Sequence, residues 1–233
     1  MRKPRGSDGE NERDFVKEHT VYKLIVFDLD GTLLDTLDDL AAAVNAGLTV
    51  CNLPTRTREE VRAFVGNGVV RLMERAVGDR QDCLDTALAT FRTYYKAHCK
   101  DKTCAYDGIA DLLAVLKTMP VKTAVLSNKV DDAVKTLVEE YFPNTFFASQ
   151  GENEKAGIRK KPAPDALFTI MSQAQVTREE TVYIGDSEVD IQTAQNAGVD
   201  CISVTWGFKD KAFLQENGAT NIVETPMEIL KFL

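Results

Sequence analysis

The stretch KLIVFDLDGTLLDT, residues 23–36, decides how the whole chain is interpreted. Its four apolar residues predict a buried strand, and two carboxylates, Asp28 and Asp30, follow that strand directly. Neighbouring buried carboxylates are unfavourable, because each loses its hydration and each repels the other. The arrangement therefore predicts that a positively charged group lies between the two side chains.

The composition is that of an ordinary globular protein. The chain has 233 residues, of which 44% are hydrophobic and 27% charged, enough for one large core. Its net charge is −8, without a basic stripe for a nucleic-acid backbone, and no stretch approaches the ~20 apolar residues of a membrane span. Five cysteines without a CxxC pair indicate reduced thiols. We expect a cytoplasmic monomer or homodimer with no nucleic-acid and no membrane partner.

Short apolar runs recur along the chain, and each is followed by a helical pattern. Continuous hydrophobicity is typical of strands that are covered on both faces, and alternation with helices indicates a parallel sheet. The predicted fold class is therefore α/β, a doubly wound parallel sheet. The predicted strands are 22–28, 122–128, 144–150, 181–186 and 201–207.

The interval between the first strand and the next core helix, near Gly108, shows helical patterns only. Apolar residues recur at helical spacing from Leu37, and Thr57 with Glu60 forms a predicted capping box. An insert of this size, directly after two acids, is typical of a lid. The predicted organisation is a disordered tail at 1–20, a core domain at 21–35 and 106–233, and an all-helical cap domain at 36–105.

The acid pair is the first candidate site. Side chains two apart on an extended segment point the same way, so Asp28 and Asp30 face one site at the carboxyl end of the strand. Acidic pairs alone are more often solvated or cap a helix. Here Gly31 permits a tight turn, and Thr32 supplies a hydroxyl donor for an oxyanion.

Two further segments carry polar groups suited to a phosphate. Ser127 and Asn128 follow an apolar run where a strand gives way to a helix, a place that binds phosphate, although a plain N-cap is the alternative. Lys161 precedes Pro162 and can aim its ammonium inward to neutralise a phosphoryl group. Lys160 is expected to be a solvated surface charge.

Another apolar run ends in Asp186, and Asp190 lies one helical turn further on the same face. If this strand lies beside the first, Asp28, Asp30 and Asp186 converge as an all-oxygen cluster of the kind that Mg²⁺ selects. The predicted cofactor is Mg²⁺, whose charge would remove the repulsion between the acids.

In their order along the chain, these four motifs resemble those of the haloacid dehalogenase superfamily in its phosphatase form, which has a helical cap after the first motif. The segments LSNK at 126–129 and VTWGF at 204–208 are similar to the phosphoglycolate phosphatase branch. The resemblance covers nearly everything from Tyr22 onward.

The resemblance implies roles for the acids. Asp28 would attack phosphorus and form an aspartyl-phosphate, while Asp30 would first protonate the leaving alkoxide and then activate water. The implied metal ligands are the carboxylates of Asp28 and Asp186 and the main-chain oxygen of Asp30.

The resemblance also implies roles for the remaining polar residues. Ser127 and Lys161 would hold phosphoryl oxygens, with Asn128 and Thr32 in support. Asp190 would orient Lys161 or a metal-bound water. Lys160 is a second candidate for the role of Lys161, because it also stands just before the proline.

Substrate choice is expected to depend on the cap. Gly66, Asn67 and Gly68 lie between two predicted cap helices, and their main-chain N–H groups can close over a small carboxylate such as that of 2-phosphoglycolate. A plain helix–helix turn is the alternative. Arg62 and Arg71 are candidate partners for the same carboxylate.

The predicted function is that of a Mg²⁺-dependent phosphatase for a small phosphorylated metabolite, 2-phosphoglycolate first. A pyrophosphatase, a nucleotidase, a sugar phosphatase or a phosphomutase remains open, because such enzymes share the core chemistry. A non-catalytic phospho-aspartate switch is the alternative from another class. Asp30 argues against the switch, since an acid at that position is suited to turnover.

Overall fold

The protein is described by a computed structural model that covers residues 22–153 and 157–233. The predicted tail at 1–20 lies outside the described residues. The strands are β1 (Leu24–Phe27), β2 (Leu34–Asp35), β3 (Cys104–Ala105), β4 (Lys122–Val130), β5 (Ala148–Glu152), β6 (Thr181–Gly185), β7 (Asp200–Val204) and β8 (Asn221–Val223). Over the described residues, six of them form one parallel sheet in the order β5-β4-β1-β6-β7-β8.

Strand β1 lies in the middle of this sheet and is buried on both faces. Ile25 and Phe27 pack into one hydrophobic cluster, and Leu24 and Val26 pack into the other. Successive side chains of a strand point to opposite faces, so an unbroken apolar run is what a doubly covered strand requires. The predicted fold class is confirmed.

The helices flank the sheet or lie in the inserted segment. They are α1 (Leu37–Val50), α2 (Arg58–Phe64), α3 (Val69–Val77), α4 (Leu84–His98), α5 (Ile109–Leu116), α6 (Asp131–Tyr141), α7 (Asp165–Ala174), α8 (Glu188–Ala197) and α9 (Lys211–Glu216), with short 3₁₀ helices at Gln81–Cys83 and Pro226–Lys231. Among the described helices, none is long and apolar enough to cross a bilayer.

Helices α1 to α4 occupy the segment predicted as the cap. Helix α1 packs on α4, with Leu40, Val44 and Leu48 on its buried face. The predicted capping box begins α2: the Thr57 hydroxyl accepts the main-chain N–H of Glu60, and the Glu60 carboxylate accepts that of Thr57. This box is confirmed, and it satisfies N–H groups that the first turn leaves unpaired.

The short antiparallel pair β2 and β3 lies where the chain enters and leaves this helical segment. Leu34 pairs with Ala105, and Asp35 pairs with Cys104. The two connections therefore run side by side, close to the predicted cap boundaries at 36 and 105. The sequence did not predict this pair, because two residues are too few for a recognisable strand pattern.

One strand prediction needs correction, and one strand of the parallel sheet was not predicted. The strand predicted at 144–150 begins only at Ala148. Phe146 lies in the preceding turn, and its ring packs edge-on against Phe27 and Phe142 at centroid distances of 6.3 and 5.8 Å. Phe146 therefore packs in the connection before β5, whereas the neighbouring Phe147 is 45% exposed. Strand β8, three residues at the sheet edge, was missed for lack of a pattern.

Candidate active site

The predicted site residues gather at the carboxyl ends of three adjacent strands, β4, β1 and β6. Asp28 follows β1, Ser127 and Asn128 lie toward the carboxyl end of β4, and Asp186 follows β6. These residues and Lys161 line one cavity of about 850 Å³ between the sheet and the helical insert. A crevice outside the carboxyl ends of parallel strands is where open α/β sheets bind ligands.

A buried ion pair in this cavity joins Asp28 and Lys161. The Lys161 ammonium lies 3.0 Å from Oδ1 of Asp28, and the two side chains are only 3% and 11% exposed. The main-chain N–H of Leu29 donates to the same oxygen at 2.7 Å. Oδ1 of Asp28 is thus held by two donors, which leaves Oδ2 without a hydrogen bond among the described residues.

Asp190 fixes Lys161 from the other side. Its Oδ1 accepts from the Lys161 ammonium at 2.7 Å and lies 3.2 Å from the hydroxyl of Tyr183. Its Oδ2 accepts from the main-chain N–H of Ser187 at 3.1 Å and from the Ser187 hydroxyl at 2.6 Å. Both oxygens of Asp190 are therefore occupied by donors from the protein, as expected for a residue that positions Lys161.

Asp186 is held by the loop after β7 and by the turn after β1. Its Oδ2 accepts the main-chain N–H of Phe208 at 2.6 Å, and the Thr32 hydroxyl lies 3.5 Å from its Oδ1. A Cβ on Gly31, whose φ is +84°, would lie 2.4 Å from Oδ2 of Asp186. The glycine of the first motif is needed both for the turn and for the close approach of this carboxylate.

The donor set fits a hard divalent cation. Oxygens of Asp28, Asp186 and Asp190 lie within 4.8 Å of one another, and all three residues are buried. Because the oxygens of Asp190 are already hydrogen-bonded, the carboxylates of Asp28 and Asp186 are the ones available to Mg²⁺, which prefers oxygen ligands. This pair agrees with the predicted ligands, and the main-chain oxygen of Asp30 stays a prediction.

The pKa values in this cluster are shifted by burial and by the charges of neighbouring residues. Burial, opposed by Lys161 and reinforced by Asp190 and Asp30, raises the pKa of Asp28 to about 7. Burial and the neighbouring acids Asp190 and Asp28 likewise raise the pKa of Asp186 well above its usual range. For Lys161, burial acts to lower the pKa, yet Asp190 and Asp28 raise it well above normal. A nearby positive charge therefore favours the ionised form of these carboxylates. Lys161 supplies one such charge from the protein itself.

Asp30 points to a different partner. Its carboxylate accepts from the Thr36 hydroxyl at 2.6 Å and from the Lys129 ammonium at 2.7 and 2.9 Å. Asp30 also lines the cavity, two residues after Asp28 and at the same end of β1. Its carboxylate is thus held in place by three hydrogen bonds, which come from Thr36 and Lys129.

The residues predicted to bind phosphate are only partly directed at the cavity. Ser127 lines it, and its hydroxyl accepts the main-chain N–H of Lys129 at 3.2 Å. The amide N–H₂ of Asn128 donates to the carbonyls of Lys161 and Gly66, so Asn128 connects the sheet to the helical insert. Its Oδ1 is buried without a partner among the described residues.

Thr32 and Lys160 lie to the side of the centre. Thr32 is buried against Asp186 and is not among the residues lining the cavity. The Lys160 ammonium lies near the loop between α2 and α3, 3.8 Å from where a Cβ on Gly68 would lie. Lys161, and not Lys160, is therefore the lysine in contact with Asp28.

Only some of the residues predicted in the cap line the cavity. Gly66 and Gly68 line the cavity, whereas the side chain of Asn67 accepts from Arg75 outside it. Arg71 pairs with Glu74 at the surface. Neither Asn67 nor Arg71 contributes to the cavity wall.

Arg62 has a different place from the one predicted. Its guanidinium donates to the carbonyls of Phe208 and Gly207 at 2.7 and 2.9 Å. The main-chain N–H of Phe208 in turn donates to Asp186. Arg62 therefore connects helix α2 of the insert to the loop that holds a candidate metal ligand.

Comparison with known proteins assigns the family. The model of the haloacid dehalogenase-like hydrolase family matches residues 25–204. The chain belongs to this family. It is 36% identical over 210 residues to a phosphoglycolate phosphatase of Pseudomonas syringae pv. tomato, covering 87% of this chain and 76% of that one. It is 37% identical over 196 residues to a phosphoglycolate phosphatase of Pseudomonas putida, covering 81% and 71%.

Solved structures of haloacid dehalogenase-like proteins have the same fold. A protein of Lactobacillus delbrueckii subsp. bulgaricus, provisionally described as a phosphoglycolate phosphatase, superposes with a TM-score of 0.85 at 39% identity and covers 90% of this chain and 97% of that one. A predicted phosphoglycolate phosphatase of Haemophilus somnus superposes with a TM-score of 0.83 at 27% identity, with coverage of 90% and 97%. The family and the fold agree with the resemblance found in the sequence.

Sequence reasoning missed several groups in the site of this haloacid dehalogenase-like hydrolase. Tyr183 lies within an apolar strand, and its hydroxyl contacts Lys161 at 3.0 Å. The N–H of Phe208 carries no side-chain signal at all. Lys129 was visible as the last residue of LSNK, but only its contact with Asp30 gives it a place in the site. Tyr95, under Lys129, looked like one of many apolar helix positions.

Proposed function

We propose that this hydrolase is a Mg²⁺-dependent phosphatase that cleaves a small phosphate monoester, 2-phosphoglycolate in preference to others, through an aspartyl-phosphate on Asp28. The observation that carries the proposal is the contact between the Lys161 ammonium and Oδ1 of Asp28 at 3.0 Å, beside the carboxylate of Asp186. A nucleophilic carboxylate, a buried cation and a metal-binding acid in one crevice are what transfer of a phosphoryl group requires.

Asp28 is proposed as the nucleophile. The bonds from Leu29 and Lys161 fix the orientation of its carboxylate, which positions the attacking oxygen before substrate arrives. Lys161 then neutralises charge on the phosphoryl oxygens, and the Ser127 hydroxyl donates a hydrogen bond to one of them. Asp190 keeps Lys161 in place through the 2.7 Å ion pair.

Asp30 is proposed as the acid and base. It stands two residues after Asp28, and the Thr36 hydroxyl fixes its carboxylate at 2.6 Å. In the first step it donates a proton to the leaving alkoxide oxygen. In the second step it takes a proton from the water that attacks the aspartyl-phosphate. Such help typically contributes about 10²- to 10⁴-fold in rate.

Mg²⁺ is proposed to bind the carboxylates of Asp28 and Asp186 and the main-chain oxygen of Asp30. When bound, Mg²⁺ supplies charge neutralisation for the phosphoryl group and for the acids around it. Enhancements for phosphate monoester hydrolysis reach ~10²¹-fold, far beyond acid–base help alone, so electrostatic stabilisation and positioning must supply most of the effect.

The choice of 2-phosphoglycolate rests on the relatives and on the insert. The Pseudomonas relatives are phosphoglycolate phosphatases at 36% and 37% identity. The main chain of Gly66 and Gly68, on the insert side of the cavity, is proposed to close over the substrate. The cavity of about 850 Å³ admits larger esters, so selectivity must come from placed polar groups.

A panel of phosphate esters assayed with Mg²⁺ tests the proposal. It includes 2-phosphoglycolate, pyrophosphate, a nucleoside monophosphate, a hexose phosphate and p-nitrophenyl phosphate. We expect the highest kcat/KM for 2-phosphoglycolate and loss of turnover when Mg²⁺ is chelated. A higher kcat/KM for any other ester rejects the substrate choice, and a stable phosphoprotein without turnover rejects the enzyme in favour of a switch.

A further inference from the structure

Lys129 is a buried cation that the reaction described above does not use. Its side chain is 7% exposed, and its ammonium lies 2.7 and 2.9 Å from the two oxygens of Asp30. It also lies over the ring of Tyr95, 4.8 Å from the ring centroid. Lys129 comes from strand β4 and Tyr95 from helix α4, so the contact joins the sheet to the insert.

Tyr95 supplies a second unused polar group at this point. The residue is 7% exposed, and its buried hydroxyl finds no hydrogen-bond acceptor among the described residues. Burial raises the pKa of this hydroxyl, against the effect of the nearby Lys129, so the hydroxyl keeps its proton and can donate. A buried donor without an acceptor is unfavourable, which indicates that a ligand supplies the acceptor.

The ammonium of Lys129 adds a positive charge at the same point. It carries three N–H donors, of which two contact Asp30 and the third faces the hydroxyl of Tyr95, so that the O–H of Tyr95 is left to donate to a ligand. Lys129 and Tyr95 both line the cavity that contains Asp28 and Lys161. The O–H donor of Tyr95 and the positive charge of Lys129 therefore lie together beside the proposed reaction centre.

The position of this pair relative to the reaction decides which ligand group it meets. In the proposed reaction Asp30 gives a proton to the ester oxygen, so that oxygen lies toward Asp30. Lys129 is directly bonded to Asp30. A group attached one carbon beyond the ester oxygen therefore falls beside Lys129, and in 2-phosphoglycolate that group is a carboxylate.

We propose that the Lys129 ammonium and the Tyr95 hydroxyl bind the second anionic group of the substrate, a carboxylate one carbon from the ester oxygen. The inference rests on the proposed function and names the part of the site that selects the substrate. The glycine loop lies near charges of both signs, because a Cβ on Gly68 would lie 3.3 Å from the carboxylate of Glu152 and 3.8 Å from the ammonium of Lys160. In this proposal the loop closes over the substrate, and Lys129 and Tyr95 bind its carboxylate.

The test compares an acidic and a neutral substrate of the same size. The measured quantity is the ratio of kcat/KM for 2-phosphoglycolate to kcat/KM for 2-hydroxyethyl phosphate. We expect Lys129→Met to lower this ratio about 100-fold and Tyr95→Phe to lower it about 10-fold. Lys129→Arg, which keeps the charge, recovers part of the ratio. A general effect on Asp30 cancels in the ratio, because both substrates need the same acid.

A binding measurement without turnover accompanies the kinetics. The inhibition constants of 3-phosphonopropionate and propylphosphonate, which differ in one carboxylate, are compared in the same variants. We expect the advantage of the acidic compound to fall in parallel with the kinetic ratio. Lys211→Met is the matched control, because it removes a lysine that pairs with an acid, Glu224, at the surface.

The outcomes separate this inference from the proposed function. If the wild-type ratio is near one, 2-phosphoglycolate is not the preferred substrate, and both proposals fail. If the wild-type ratio is high but unchanged in Lys129→Met and Tyr95→Phe, the substrate choice stands and the subsite is wrong. If only Lys129→Met fails to fold, Tyr95→Phe and the inhibitor pair still decide.

Discussion

Removing divalent cations from the protein should make its stability fall as the pH rises. Asp28, Asp186 and Asp190 are buried within 4.8 Å of one another, and burial raises the pKa of Asp28 to about 7. Between roughly pH 4 and pH 7 the metal-free folded state then holds a proton that the unfolded chain has released. Because folding binds protons in this window, the free energy of unfolding decreases with increasing pH.

The size of the effect follows from the raised pKa. Each pH unit changes the free energy of unfolding by about 1.4 kcal/mol for each proton that only the folded state holds. For Asp28 alone, a window of roughly three pH units corresponds to ~4 kcal/mol, and Asp186 shifts in the same direction. This is a large part of the ~5–15 kcal/mol of a typical domain. Mg²⁺ replaces the proton as the neutralising charge, so its stabilising effect should grow from pH 5 to pH 8.

Urea unfolding at pH 5, 6, 7 and 8, with a chelator or with excess Mg²⁺, measures this dependence. Asp28→Asn, which removes the titrating carboxyl group at nearly constant shape, is the control and should show a flatter profile without metal. Metal-free stability that stays constant or rises from pH 5 to pH 8, or an equal effect of Mg²⁺ at every pH, would refute the reasoning.

Three further substitutions test separate parts of the site. Lys161→Met should abolish turnover and destabilise the metal-free protein by about 3–5 kcal/mol, because it leaves buried carboxylates unpaired. Adding Asp190→Asn should restore part of that stability in urea unfolding. No recovery in the double variant would contradict the pairing of Lys161 with Asp190. Arg62→Ala should lower kcat/KM about 10-fold with little change in melting temperature, since it removes hydrogen bonds between the insert and the loop at Asp186. A drop in melting temperature without a drop in kcat/KM would mean that Arg62 has a purely structural role. Gly31→Ala should cost about 1–3 kcal/mol and weaken Mg²⁺ binding, measured by calorimetry, because its Cβ meets Asp186 and its φ is +84°; unchanged metal affinity would contradict the close approach.

The sequence predicted the sheet and the acids because their signals are local. The run Leu24–Phe27 is apolar at every position, as a strand between two clusters must be, and the acids that follow it lie at the ligand-binding edge. The same logic placed Asp186 after β6. The pairing of β1 with β4 and β6 then brings these residues together.

Other features depend on contacts between distant segments, which spacing cannot reveal. Arg62 looked like a partner for a substrate carboxylate, yet it donates to main-chain carbonyls 145 and 146 residues away. Asn128 looked like a phosphate ligand, yet its N–H₂ group donates to Gly66 and Lys161. The Phe146 segment looked like a strand because packing in the connection before β5 produces the same apolar pattern.

The most direct measurement is mass spectrometry of the protein after acid quench during turnover of 2-phosphoglycolate with Mg²⁺. Asp30→Asn, which lacks the proposed base for the second step, is used beside the wild type to let the intermediate accumulate. We expect substrate-dependent addition of one phosphoryl group to the peptide that contains Asp28, and none in Asp28→Asn. Phosphate on another residue, or turnover by Asp28→Asn at the wild-type rate, would contradict Asp28 as the nucleophile.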